Sequence, residues 1–350
     1  MQNESNRSLA QSSAQIPGSL IRSVAVLTLL ACSVATSAPA DESSNDDSSE
    51  SGVPAWVFPM NPPAPADPAR IDAVSRLHIA NSNLSFTQAE LNDLFNAADW
   101  HPRSHSRMPA IVATGRPPDV YACGFCHTAG GQGRPENASL AGLPAAYILS
   151  QLSDFKSGER KSAWRGPYRP ADRMIHAVKN ASAEELSTAA TYFAAQSLRP
   201  RVVVVERRRV PRSHIVGWVY AAEQDGRSEL LGQRLLEFAP DAVRHENRAD
   251  DMRYVAYVPL GSINRGKQIV HTGFDSPANA CGTCHGPRLR GMGLAPPIAG
   301  RSPTYMLRQL LAFQTGARSA AAGLPMRTVV ENLKINDMID ATAFAASLAP

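Results

Sequence analysis

Aromatic side chains are scarce in this chain of 350 residues, at 6%. Small helical proteins share that scarcity, as do domains packed around a large flat cofactor. Long apolar runs are missing as well. The leading apolar stretch, residues 20–31, contains Arg22 and is too short to cross a bilayer. Acidic residues are thin in the body of the chain. Residues 1–53 hold two bases and six acids, which leaves 33 bases and 25 acids for the remainder. A basic body suits docking to acidic partners. What is plentiful is apolar material, at 43%, which excludes wholesale disorder. The length fits two domains with room for an extra module.

Residues 1–40 read as a signal peptide, a basic residue followed by a short apolar core. Two processing routes compete. Ala38-Pro39-Ala40 offers ordinary cleavage, and Leu29-Leu30-Ala31-Cys32 offers a lipoprotein site in which acylated Cys32 tethers the chain to a membrane. Leu30 stands where a small residue is usual. Either route leads to the periplasm, where nucleic-acid binding is not expected. Residues 41–69 form an acidic and then proline-rich tether, disordered at first and extended on the surface from Pro54 to Pro68.

Cysteine is used sparingly: Cys32, Cys123, Cys126, Cys281 and Cys284. Beyond the leader, all four lie in two Cys-x-x-Cys-His motifs set 158 residues apart. The same offset aligns their flanks without a gap. Tyr147, Gln151, Leu152, Phe155, Gly158 and Arg160 meet Tyr305, Gln309, Leu310, Phe313, Gly316 and Arg318. A chance pair of motifs would not bring its flanks along, so one unit occurs twice.

The expected fold is mainly α: two tandem helical domains with a small β-rich insert between them. Domain 1, with an N-terminal extension, spans 70–199, the insert 200–258 and domain 2 259–350. Each unit has a short helix, the motif, a Gly-rich loop and an amphipathic helix (145–156 or 304–314) closed by Gly158 or Gly316. A last helix follows, starting at the capping-box pair Ser182 and Glu185 in one unit and near Asn336 in the other. The insert carries the basic run Arg207-Arg208-Arg209, which is more often a solvated strand end than a docking patch.

Cys123-Gly124-Phe125-Cys126-His127 and Cys281-Gly282-Thr283-Cys284-His285 have the spacing of c-type haem attachment. Two thiols add to the two vinyl groups on one porphyrin edge, and the adjacent imidazole meets the iron from beneath. A zinc ribbon places its second cysteine pair about 15–20 residues on, whereas 154 residues intervene here. A thioredoxin-like pair needs a βαβ setting, which is absent. For the second axial ligand, Met174 and Met326 share a context, with Val178 and Asn180 matching Val330 and Asn332. A lone methionine is more often a core filler. His176 rivals Met174, and His271 is a fainter rival to Met326. Met292 is too close to His285 to wrap a porphyrin, and Met306 and Met338 fall in expected helices. His101 and His105 lie upstream of the first motif, as loop residues or shields of a haem edge.

In these residues the chain resembles the two-domain diheme class I cytochromes c of bacteria, the c-four type, over about residues 107–198 and 262–349. The resemblance implies two covalently bound haem c groups, His127 with Met174 and His285 with Met326 as iron ligands, and no catalytic residues. It implies periplasmic electron transfer between a dehydrogenase or quinol-oxidising complex and a terminal oxidase. A diheme peroxidase-like enzyme, or a haem subunit of a dehydrogenase complex, is the alternative. The resemblance also implies a proline carbonyl bracing each motif histidine. Pro296 or Pro297 fits in the second unit, whereas the first has Ala138 and Ser139 there.

Overall fold

The structure is a computed structural model that describes residues 52–62 and 74–350. The leader, Cys32, residues 41–51 and residues 63–69 of the expected tether lie outside the described residues.

Short strands β1 (Arg76–Leu77) and β2 (Phe86–Thr87) pair antiparallel and lead into α1 (Gln88–Asn92), whose N-terminus is closed by a Thr87–Glu90 capping box. The first helical unit follows as α2 (Ala110–Ala113), α3 (Cys123–His127), α4 (Ala145–Ser157), α5 (Arg169–Asn180) and α6 (Ala183–Ala194). The chain then runs through β3 (Val202–Glu206), β4 (Arg209–Pro211), β5 (Ser213–Val216), β6 (Val219–Ala222), β7 (Ser228–Leu230), β8 (Leu236–Phe238), α7 (Ala242–Glu246) and β9 (Tyr254–Val258). The second unit is α8 (Ser262–Thr272), α9 (Cys281–His285), α10 (Pro303–Gln314), α11 (Leu324–Val330) and α12 (Ile335–Ser347).

Local chemistry accounts for the helix ends. Ser182 accepts from the Glu185 N–H while the Glu185 carboxylate accepts from the Ser182 N–H, which starts α6. Gly158, at φ 82°, ends α4 with its N–H on Phe155 O. Gly316, at φ 74°, does the same on Phe313 O just after α10. The two units then diverge. α5 has twelve residues and α11 only seven. From Met174 and Met326 onward the matching offset is therefore 152 rather than 158.

Between the units, β3-β9-β8-β6-β5 form a mixed five-stranded sheet, and β4 pairs with β7. β5 and β6 are joined by Gly217 and Trp218, both at positive φ, as a tight two-residue hairpin requires. This sheet does not stand alone. Ile79, Leu91, Ala98 and Trp100 bury themselves against Val219, Ala249, Met252 and Tyr254, and the Trp100 indole N–H donates to Asn247 O at 2.8 Å. The N-terminal extension thus shares its core with the strands, not with the first helical unit alone.

One expectation is corrected at the start of the described chain. The stretch beginning at Pro54 was expected extended on the surface. Instead Ala55–Val57 form a 3₁₀ turn, and Val57 and Phe58 are buried in a core with Tyr168, Leu235, Leu307 and Leu311. The apolar trio Trp56, Val57 and Phe58 outweighs the surrounding prolines, because burying each such side chain is worth about 1.5–3 kcal/mol.

In the second unit, α8 crosses α12 at Gly266. A Cβ there would lie 1.9 Å from Asp340 O and 2.9 Å from the Phe344 Cβ. Arg265 grips the Asp340 carboxylate with both nitrogens, at 2.6 and 2.9 Å. Gly266→Ala should force the helices apart and lower stability by about 2 kcal/mol, read from the guanidinium unfolding midpoint.

Candidate functional site

α3 and α9 place the two Cys-x-x-Cys-His motifs, and the loop behind each is built alike. Gly133 N–H donates to His127 O at 2.9 Å, and Gly291 N–H to His285 O at 2.9 Å. The loops then pinch at matched bridges, Arg134–Asn137 and Met292–Ala295. Each pinch carries the next carbonyl over the motif imidazole. His127 Nδ1 lies 2.9 Å from Ala138 O, and His285 Nδ1 lies 2.8 Å from Pro296 O. A carbonyl can only accept, so Nδ1 carries the proton and Nε2 keeps its lone pair. Burial pushes both imidazoles below the usual histidine range, against the raising effect of these bonds. Both rings are therefore neutral, the form that ligates a metal. The missing proline of the first unit is immaterial to the brace, because the acceptor is a backbone atom and alanine supplies it.

A cavity of about 670 Å³ reaches both sites. Its lining includes Cys123, Cys126 and His127, and Cys281, Cys284 and His285. Met174 on α5 and Met326 on α11 line it too. The rivals do not. His176 is exposed and stacks on Tyr121, with ring centroids 5.1 Å apart. His271 is exposed and sits edge-on to Phe344. Met292 is exposed, Met338 is fully buried in the core away from the lining, and Met306 lines the cavity from α10. His101 and His105 are outside it. His101 Nδ1 is 2.5 Å from Asp250 Oδ1, and His105 sits between Asp99 and the Tyr192 hydroxyl.

Zinc does not fit the cysteines. Among the described residues, the one group of three histidine, cysteine or carboxylate side chains close enough to share an ion is His101, Asp250 and Asp251. Neither cysteine pair belongs to it, and Asp251 is already paired with Arg244.

The polar groups on the cavity wall were visible in the repeat, but their role was not. Arg160 donates to Gln151 Oε1 at 2.7 Å in its own unit, and to the Tyr305 hydroxyl at 3.0 Å and Gln309 Oε1 at 2.9 Å across the boundary. Arg318 mirrors it, donating to Gln309 Oε1 at 3.3 Å and across to Gln151 Oε1. The backbone follows suit: Lys161 N–H donates to Ala317 O and Ser319 N–H to Glu159 O, each at 2.8 Å. Arg301 adds a third guanidinium, bonded to Ser139 O and Ala141 O of the first unit. Among the described residues, none of Arg160, Arg301 and Arg318 has a carboxylate partner within ion-pair distance. Buried cations without anions are costly. A porphyrin with two propionates supplies such anions, apolar faces for the wall and an iron for the imidazoles, so the residues present fit haem.

No family model matches the chain. It is 24% identical over 249 residues to cytochrome c4 of Azotobacter vinelandii, covering 70% of this chain and 91% of the relative. It is 28% identical over 206 residues to a thiosulfate dehydrogenase electron acceptor of Thiomonas intermedia strain K12, covering 58% of this chain and 67% of the relative. The crystal structure of reduced cytochrome c4 from Pseudomonas stutzeri aligns with a TM-score of 0.41 and 22% identity, over 65% of this chain and 93% of its own.

Gln151→Leu strips both Arg160 and Arg318 of an acceptor. It should cost about 3 kcal/mol in an unfolding titration, while Gln151→Glu, which keeps the acceptor and adds an anion, should lose clearly less.

Proposed function

We propose that this chain, a two-haem c-type cytochrome of the cytochrome c4 type, carries single electrons between periplasmic redox proteins. The observation that carries the reading is the matched pair of neutral imidazoles, each held through Nδ1 by a backbone carbonyl and each lining one shared apolar cavity with a methionine. Haem c supplies an iron that cycles between two oxidation states without any bond being made or broken. His127 with Met174 in the first unit, and His285 with Met326 in the second, would hold that iron. Two protein ligands per iron leave no position open to a substrate, which favours a carrier over a diheme peroxidase. A thioether ligand raises the potential relative to a second imidazole. The packed walls, with Ile148, Leu152, Val178 and Phe193 in one unit and Val270, Ile298 and Met306 in the other, limit rearrangement when the charge changes.

The upstream partner is a periplasmic dehydrogenase or quinol-oxidising complex, and the downstream partner is a terminal oxidase. The likeness to a thiosulfate dehydrogenase electron acceptor supports the dehydrogenase. Among the described residues no helix is long and apolar enough to cross a membrane, and attachment through lipidated Cys32 belongs to the same proposal. The intervening segment 200–258 serves as a clamp, since its strands pack on both the N-terminal extension and the second unit.

The pyridine spectrum of the mature protein should count two c-type haems per chain. Met174→Ala and Met326→Ala should each remove about half of the methionine–iron absorption and lower one midpoint potential, while His176→Ala changes neither. Unchanged spectra in both methionine variants would overturn the ligand assignment.

A further inference from the structure

The two motifs are equivalent in sequence but not in their surroundings. Phe125 of the first is 3% exposed, whereas Thr283, at the same place in the second, is exposed. Farther along, Arg134 and Glu136 are 7% and 6% exposed, but their counterparts Met292 and Leu294 are 57% and 75% exposed. The difference has a visible cause. Arg248, in the link after α7, lies 3.5 Å above the Phe125 ring and donates to Phe125 O and Leu91 O. Ala97 presses on Gly124, where an added Cβ would meet its methyl at 2.7 Å. Arg134 pairs with Glu136 and donates to His245 O. The N-terminal extension and the intervening segment together roof the first motif. Nothing among the described residues does this for the second, and Cys284 is exposed.

The edge of a haem stapled by Cys-x-x-Cys lies beside the cysteines. The motif that reaches the surface therefore brings its haem edge within short electron-transfer range of another protein. Around the second motif the surface has a distinct character. Phe274, at 42% exposed, joins Met292 and Leu294 in presenting apolar area, and Leu294 and Cys284 also line the cavity. Within residues 267–294 the exposed charges are Lys267, Arg288 and Arg290 against Asp275. Exposed apolar side chains with basic residues close by in the chain have the composition of a transient protein interface.

We propose that electrons enter and leave through the second site. An acidic redox protein docks on Phe274, Met292 and Leu294, with Arg288 and Arg290 of the same loop supplying positive charge, and the roofed first site, which no partner touches, exchanges electrons with the second site alone. The inference rests on the electron-carrier reading. In each exchange the donor is oxidised by one electron and the acceptor reduced by one, with no proton or bond involved. The basic fringe selects partners with acidic surfaces and speeds their encounter.

The test uses the full two-haem protein, reduced with ascorbate and mixed in a stopped-flow cell with oxidised plant plastocyanin, an acidic one-electron copper protein. Haem content and both midpoint potentials are measured first for every variant. A wild-type protein without two haems would overturn the carrier reading itself. Given two haems, Arg288→Glu with Arg290→Glu, and separately Leu294→Glu, should lower the second-order rate constant roughly tenfold or more at low salt. Arg207→Glu with Arg208→Glu, exposed on the intervening segment, should leave it within about twofold. Patch variants that react at the wild-type rate, or a tenfold loss confined to the Arg207 and Arg208 variant, would overturn the proposal.

Discussion

Each motif histidine hangs on one hydrogen bond to a backbone oxygen, and much of the molecule serves to keep that bond in place. The bond fixes the tautomer, sets the plane of the ring and leaves Nε2 as the only nitrogen able to bind iron. To supply the acceptor, the loop after the motif must double back within eleven residues, from His127 to Ala138 or from His285 to Pro296. The pinch at Arg134–Asn137 or Met292–Ala295 makes that reversal possible. Bonds from Leu140 and Ala141 to Gly131 O, and from Ile298 and Ala299 to Leu289 O, then tie the returning strand down. The amphipathic helix that follows is in register because the loop is.

The second constraint is charge. Three of the buried guanidiniums that line the mostly apolar cavity, from Arg160, Arg301 and Arg318, rest on amide, hydroxyl and carbonyl oxygens instead of carboxylates. Neutral acceptors satisfy geometry but not charge. The chain therefore keeps a positive interior at the boundary between its units, a setting that favours a cofactor bearing carboxylates. Burial holds Arg301 down to about 10, which is still protonated at neutral pH.

Much of the site was legible in the sequence. The two motifs, the gapless flanks, Gly158 and Gly316 as helix stops and the Ser182–Glu185 cap all reflect local rules that act over a few residues. Met174 and Met326, which both line the cavity, share a context in the sequence, because Val178 and Asn180 travel with the first as Val330 and Asn332 do with the second. Long-range facts stayed hidden. Nothing local announces that Arg160 reaches Tyr305 and Gln309, although matched Gln and Arg inside an apolar repeat were a signal that went unread. The proline rule misled for the first unit because the carbonyl it invokes is a backbone atom, which Ala138 supplies as well as proline does. Trp56, Val57 and Phe58 were masked by the prolines around them. Burial of the first motif against Arg248 depends on residues more than a hundred positions away.

The boundary between the units is built from one patch meeting its own copy. Lys161 bonds Ala317 as Ser319 bonds Glu159, and Arg160 bridges to Arg318. Such self-complementarity is the geometry of a two-fold symmetric dimer, here with both subunits on one polypeptide. Fusion releases the halves from having to change together. A true homodimer cannot place threonine in a left-handed turn on one side and glycine on the other, yet Thr128 and Gly286 occupy those equivalent turns here. The covalent link thus lets a symmetric interface hold two sites of unlike surroundings, so that a difference in potential between them can evolve without loosening the joint.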